Sequence, residues 1–244
     1  MKNPRGREIC IRNWRDPFPT KTGIAVVFDI FRCSTTLACL TSYRDDGVWI
    51  TKNLAPIATL ITQHRVYSEL SEARSLPLRF DNSPAEALSK SSREDLKSPC
   101  LVATTSGTPA MFAARAFEEV WVGSFTNFSA LVKILALEER TITLIPAAAP
   151  DSGHVEDAIA AEEIAIALDG FCLGEDFVVS CANKGIEKIR ASGRVEELAK
   201  KLPRGEEDTA IALDRDRFNH GLKINFRPGS NVPGLAKVVK CVTG

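Results

Sequence analysis

The residues best suited to chemistry follow apolar runs of the sequence. Asp29 lies near the end of the first run, residues 24–31, and Arg32 follows it directly. Small and hydroxyl residues come after this run and a later one: Ser34, Thr35, Thr104, Thr105, Gly107 and Thr108. Free N–H groups at helix starts, hydroxyl donors and an arginine fork favour a small anion such as phosphate. The pattern indicates an anion site.

Four acidic residues are candidates for metal or acid–base work: Asp29, Glu156, Asp157 and Asp208. Well-separated acids around a phosphate-binding edge would form an oxygen-rich Mg²⁺ site. The alternative is structural. Asp29 would accept a hydrogen bond from Arg32 or cap a turn, and acids at helix starts are favoured by the helix dipole alone.

The same alternative applies to the hydroxyl residues. Ser, Thr and Asn in front of helices are ordinary caps, and a single arginine is more often part of a surface ion pair. Asn127 belongs to a third cap segment, residues 124–127, and Ser83 opens an S-x-x-E capping box that ends at Glu86. The repetition of such polar turns after several strands favours a binding role, because parallel strands bring these turns to one edge of a sheet.

The elements that must position these residues alternate along the chain. Strands are predicted at residues 24–31, 48–51, 100–105, 120–123, 141–145 and 177–181. Residues 235–242 are predicted to form either a late strand or an edge segment. Helices are predicted at residues 34–43, 54–70, 84–91, 109–118, 127–139 and 155–168, and amphipathic helices with a turn at 203–205 within 186–217. This alternation predicts an α/β fold, layered α/β/α around a mainly parallel or mixed sheet.

The composition and charge of the chain exclude several classes of function. The 244 residues carry 31 Lys+Arg and 31 Asp+Glu, so no nucleic-acid partner is expected. No run of 18 apolar residues predicts a membrane span, and the start lacks the apolar core of a secretory signal. Seven scattered cysteines without a C-x-x-C pair suit free thiols and a cytoplasmic location. We expect an N-terminal arm, 1–23, and one unit, 24–244, with 24–150 and 151–244 as its lobes if it divides.

Six blocks in order resemble those of the 2-phosphosulfolactate phosphatase family. The run 27–36, VFDIFRCSTT, resembles the family's V-D-V-L-R-A-S-T-T, and Asn82-Ser83-Pro84 resembles G-N-S-P. The later blocks are T-T-S-G-T at 104–108, G-S-F-T-N at 123–127, E-D-A-I-A-A at 156–161 and the acids of 207–214. The likeness extends over roughly residues 24–235.

The resemblance implies the family's own α/β fold and a Mg²⁺-dependent phosphatase that acts on 2-phosphosulfolactate on the route to coenzyme M. It implies catalytic roles for Asp29, Arg32, Asp157 and Asp208, with Asp29, Glu156, Asp157 and Asp208 as metal ligands. Substrate contacts are implied for Ser34, Thr35, Asn82, Ser83, Thr104, Thr105, Gly107, Thr108 and Asn127. The expected partner is a small anionic phosphorylated substrate, and a homo-oligomer is compatible with the sequence.

The chain also departs from the family pattern near these residues. Ser106 replaces Asn, Pro109 replaces Arg, Asp81 replaces Gly and Glu162 replaces Gly. These changes motivate a second hypothesis, a non-catalytic family member that binds an anion without hydrolysing it. A third hypothesis is a structural or assembly protein in which the caps are only caps.

Overall fold

The first apolar run forms a strand, Ile24–Phe28, that is buried along its whole length. A computed structural model describes this chain over residues 7–18, 22–90, 97–149, 151–226 and 234–242. The strands in these ranges are β1 (Ile9–Ile11), β2 (Ile24–Phe28), β3 (Val48–Ile50), β4 (Arg65–Tyr67), β5 (Arg79–Phe80), β6 (Cys100–Val102), β7 (Glu119–Gly123), β8 (Ile142–Pro146), β9 (His220–Asn225) and β10 (Ala236–Val242).

The helices of the same ranges cover both faces of one sheet. They are α1 (Cys33–Ser42), α2 (Pro84–Ser89), α3 (Gly107–Ala113), α4 (Phe128–Ala136), α5 (Glu156–Asp169), α6 (Glu175–Ala191), α7 (Arg194–Lys201) and α8 (Gly205–Ala212). Side chains of a strand point alternately to opposite faces. Val26 and Phe28 therefore join a core with α4, α5 and α6, whereas Ala25 and Val27 join a core with α1 and α3. The predicted α/β/α layering is confirmed.

The ten strands form one mixed sheet in the order β1-β8-β2-β7-β9-β10-β3-β6-β4-β5. Strands β1, β8, β2 and β7 are parallel to one another, and so are β3, β6, β4 and β5. The antiparallel β9 and β10 join the two blocks. The late strand predicted at 235–242 is thus confirmed as β10, whereas the alternative of an edge segment is wrong, because β10 pairs with β9 on one side and β3 on the other.

The two parallel blocks run in opposite senses, and five strand-to-strand steps separate β2 from β6 in the sheet order. The turn after β6 nevertheless reaches the turn after β2, because a Cβ atom at Gly107 would lie 2.4 Å from Oδ2 of Asp29. The turns after both strands therefore contribute to one site.

Two predicted elements are wrong. Residues 54–70 are not one helix, because a 3₁₀ turn, Ala55–Ile57, precedes strand β4 there. Residues 177–181 are not a strand but part of α6, whose buried residues recur at helical spacing: Val178, Cys181, Ala182, Gly185, Ile186 and Ile189. The turn at 203–205 does separate α7 from α8. Ser91, the predicted end of α2, lies outside the described residues.

The N-terminal segment contributes to the sheet. Strand β1 pairs in parallel with β8, with Ile9 opposite Ile142. The buried Arg7 donates hydrogen bonds to the carbonyls of Leu135 and Leu168, at 2.6 and 3.1 Å. Among the described helices, none combines the length and apolar character needed to cross a bilayer.

Candidate active site

A polar cavity of about 180 Å³ lies where the turns after β2, β6 and β8 meet the start of α5. Six residues predicted from the sequence line it: Asp29, Arg32, Asn82, Thr105, Glu156 and Asp157. Six further residues complete the lining: Phe31, Glu69, Ser106, Ala148, His154 and Leu202. The sequence blocks from both halves of the chain therefore converge on one cavity.

Asp29 is buried at the end of β2, and its charge has little compensation. Its Oδ1 accepts a hydrogen bond from the backbone N–H of Cys33 at 3.2 Å. Burial is the main cause that raises the pKa of Asp29, to about 7, and the negative charge of Glu69 raises it further. Within the described ranges, no basic side chain forms an ion pair with Asp29.

Asp157 faces Asp29 from the first turn of α5. Its Oδ1 accepts from the N–H of Ile30 at 2.7 Å, and its Oδ2 accepts from the N–H of Ala148 at 3.0 Å. Burial and then the nearby charge of Asp29 raise the pKa of Asp157 well above its ordinary value. The carboxyl group thus ties the turns after β2 and β8 to α5 and brings a second ionisable acid to the cavity.

The other two predicted metal ligands pair with arginines instead. Glu156 accepts from Nε and Nη2 of the buried Arg194, at 3.0 Å each. Asp208 accepts from Nη1 of Arg32 at 2.9 Å, from the hydroxyl of Ser83 at 2.6 Å and from a backbone N–H. Asp208 does not line the cavity, and no three His, Cys, Asp or Glu side chains of the described residues form a group able to hold a metal ion.

Arg32 reaches the cavity while held by two acids. Its Nη1 and Nη2 donate to the two oxygens of Asp81, at 2.6 and 3.2 Å, and Nη1 also donates to Asp208. Asp81 is a position at which the chain departs from the family pattern. Because its side chain is 43% exposed and that of Asp208 only 1%, Asp208 is the buried anchor of the guanidinium and Asp81 its outer partner.

Asn82 carries an unused acceptor. The side chain is buried and lines the cavity, and its Oδ1 has no hydrogen-bond partner among the described residues. A buried amide oxygen without a partner costs free energy. A bound ligand or ion in the cavity would satisfy it.

Several predicted substrate contacts are placed behind the cavity wall and do not line it: Ser34, Thr35, Ser83, Thr104, Gly107, Thr108 and Asn127. The hydroxyl of Ser34 accepts from the N–H of Asp29 at 2.9 Å. Thr104 and Thr108 exchange two hydrogen bonds between side chain and backbone, at 3.0 Å each. These residues shape the turns that carry the lining residues.

Gly107 has a special position among them. A Cβ atom at this residue would lie 2.4 Å from Oδ2 of Asp29 and 2.7 Å from Cβ of Cys33. Only glycine therefore lets the start of α3 approach the end of β2 so closely. The glycine sets the position of the Asp29 carboxylate from behind.

Replacing Gly107 with alanine is expected to displace the Asp29 carboxylate and to lower catalytic turnover about 10- to 100-fold. The matched control is Gly193→Ala, since a Cβ atom at that glycine, unlike one at Gly107, would meet nothing within 4 Å. Gly193 does not line the cavity, and its φ of +79° makes the alanine costly to stability alone. Thermal unfolding and turnover are measured for both variants. Equal turnover in the two would contradict the positioning role of Gly107.

Glu69 and His154 are lining residues that the sequence did not indicate. Glu69 accepts from the N–H and the hydroxyl of Thr105, at 2.7 and 3.1 Å. His154 lies in the turn before α5. Neither belongs to a recognisable block, so only the chain path around the cavity reveals them.

Comparison with known proteins identifies related sequences. The family model described as 2-phosphosulpholactate phosphatase matches residues 15–219. The 2-phosphosulfolactate phosphatase of Methanocaldococcus jannaschii is 28% identical over 153 residues, which cover 60% of this chain and 64% of that protein. The match therefore spans less than two thirds of the length of this curated relative.

Proposed function

The chain belongs to the 2-phosphosulfolactate phosphatase family, and on this premise we propose that it hydrolyses a small acidic phosphomonoester. The products are inorganic phosphate and a hydroxy acid, and the substrate is of the 2-phosphosulfolactate kind. A place on the route to coenzyme M and a cytoplasmic location belong to the same proposal. The observation that carries it is the pair of buried carboxylates, Asp29 and Asp157, beside Arg32 in one polar cavity.

The cavity suits Mg²⁺ through two carboxylates rather than four. Mg²⁺ commonly uses one or two carboxylates, several waters and the phosphate oxygens of the substrate. Asp29 and Asp157 are buried together and lack a cationic partner in the described ranges, whereas Arg194 and Arg32 already neutralise Glu156 and Asp208. A divalent cation would stabilise the ionised form of both aspartates, whose pKa is raised by burial first and by neighbouring negative charges second.

When bound there, Mg²⁺ would neutralise phosphoryl charge and lower the pKa of a bound water. Asp29 and Asp157 would hold the ion, and the free Oδ1 of Asn82 would accept from one of its waters. Arg32 would present its guanidinium to the phosphoryl oxygens or to the acid group of the substrate. Phe31, Ala148 and Leu202 form the apolar part of the lining.

The test is release of inorganic phosphate from 2-phosphosulfolactate and from a panel of phosphomonoesters, with Mg²⁺ and with a chelator. We expect Mg²⁺-dependent release that falls to background with the chelator and returns when Mg²⁺ is added back. Release that ignores the chelator would contradict the role of the metal. Saturable anion binding without release of phosphate from any substrate would contradict the phosphatase proposal and support a non-catalytic anion-binding protein instead.

A further inference from the structure

A second, larger cavity adjoins the proposed catalytic cavity. It measures about 550 Å³ and shares Arg32, Glu69 and Leu202 with the smaller one. We name it the outer cavity. Because the two cavities have common walls at Arg32 and Leu202, a ligand whose phosphoryl group occupies the smaller cavity can extend into the outer one.

Four arginines contribute to the wall of the outer cavity: Arg32, Arg74, Arg79 and Arg204. Arg74 lies in a 3₁₀ turn, Ser71–Ser75, that Ala73 anchors by its complete burial. Arg79 lies on β5, which pairs with β4 at the edge of the sheet. Two of the four cations are thus carried by elements fixed to the core.

The acids of the outer cavity already have partners. Asp81 pairs with Arg32, Glu69 accepts from Thr105, and Glu86 accepts from the backbone N–H of Asp81 at 2.8 Å. These bonds occupy the three carboxylates without involving Arg74 or Arg79.

Among the four arginines of the outer cavity, Arg74 and Arg79 are the two that no carboxylate of the described residues neutralises. Arg204 lies 3.6 Å from Glu207, and Arg32 is held by Asp81 and Asp208. Within the ranges that the structure describes, neither Arg74 nor Arg79 forms an ion pair. Two unpaired guanidinium groups on the wall of a cavity that adjoins the proposed phosphoryl site favour a second anion.

We infer that the outer cavity binds a second anionic group of the substrate, with Arg74 and Arg79 as its ligands. The inference rests on the proposed function and names the residues that would select its substrate. They would favour a phosphomonoester whose carbon skeleton carries a sulfonate away from the phosphoryl group. Asp81 already pairs with Arg32, so it competes with a second substrate anion for that guanidinium.

The inference is tested with two ligand pairs that differ in one anion. The substrates are 2-phosphosulfolactate and 2-phospholactate, which lacks the sulfonate, and the corresponding products are sulfolactate and lactate. The variants are Arg74→Gln, Arg79→Gln and their combination. The control is Arg190→Gln, since Arg190 is an exposed arginine of α6 away from both cavities.

We expect the wild type to prefer the sulfonated ligand in each pair. Each single variant should reduce that preference about fivefold and the combination tenfold or more, as kcat/KM for the substrates and as Kd for the products. Arg190→Gln should leave both ratios unchanged. The constants for 2-phospholactate and lactate should stay close to those of the wild type in every variant.

The outcomes separate this inference from the proposed function. A sulfonate preference that survives in the combined variant overturns the subsite, even when phosphate is released. Product binding that shows the expected ratios supports the subsite, even when no phosphate is released and the phosphatase proposal fails. No binding and no turnover with any of the four ligands overturns both.

Discussion

The variant Asp29→Asn is expected to lose phosphate release by at least 100-fold and yet to make the metal-free protein more stable. The lost activity follows from the removal of one of the two carboxylates proposed to hold Mg²⁺. The gain in stability follows from the environment of Asp29, whose buried charge is repelled by Glu69 and Glu156. Asparagine keeps an acceptor for the N–H of Cys33 without that charge.

The sign of the pH dependence follows from the raised pKa. The Asp29 carboxyl has a pKa of about 7 in the folded protein, against the ordinary value of 3.8. Between these values the folded state holds a proton that the unfolded chain has released. The free energy of unfolding therefore falls as pH rises from about 4 to 7, and the loss is complete above that window.

At pH 8 without metal, we expect Asp29→Asn to gain about 2 kcal/mol, or roughly 4–8 °C in Tm for a chain of this size. The matched control is Asp157→Asn. Both oxygens of Asp157 accept backbone N–H groups, so an amide NH₂ there would face a donor and should lower Tm. Thermal unfolding with a chelator measures both variants. A lower Tm for Asp29→Asn would contradict the destabilisation assigned to the buried charge of this carboxylate.

The sequence predicted the fold where burial alone determines the pattern. Residues 24–28 are continuously apolar, and three of the five are β-branched, because β2 is buried on both faces. Such runs identify strands. The wrong predictions arose where a short apolar run is compatible with both a strand and a helix. Phe177 to Cys181 reads FVVSC, which favours a strand locally, but its burial continues every third or fourth residue to Ile189. The longer helical period decides in favour of α6.

The residues of the candidate site were predictable where a residue type in its sequence context has a single plausible role. A lone acid in an apolar strand indicated Asp29, and it does line the cavity. Hydroxyl residues such as Ser34 and Thr108 were ambiguous because a cap and a phosphate contact require the same side chains. The structure shows their hydroxyls in hydrogen bonds within the turns. Glu69 reaches the cavity through the path of the loop after β4, which no local pattern encodes.

Arg32→Met is expected to destabilise the protein by about 3 kcal/mol, roughly 6–12 °C in Tm, and to remove activity. The cost arises chiefly from Asp208, which is 1% exposed and would remain buried without its cationic partner. The loss of Asp81 as a partner matters less, because its side chain is 43% exposed and water can solvate it. Thermal unfolding and phosphate release measure the two effects.

A second substitution separates the structural role of Arg32 from its role toward substrate. In Arg32→Met/Asp208→Asn the uncompensated buried charge is gone, while the amide oxygen can still accept from Ser83. We expect this double variant to recover most of the lost Tm and none of the lost activity. If activity returned together with stability, Arg32 would serve only to hold Asp208, and anion recognition would have to come from other groups of the cavity. If neither returned, the ion pair would be needed for the placement of α8 against α2, and substrate binding would depend on that contact.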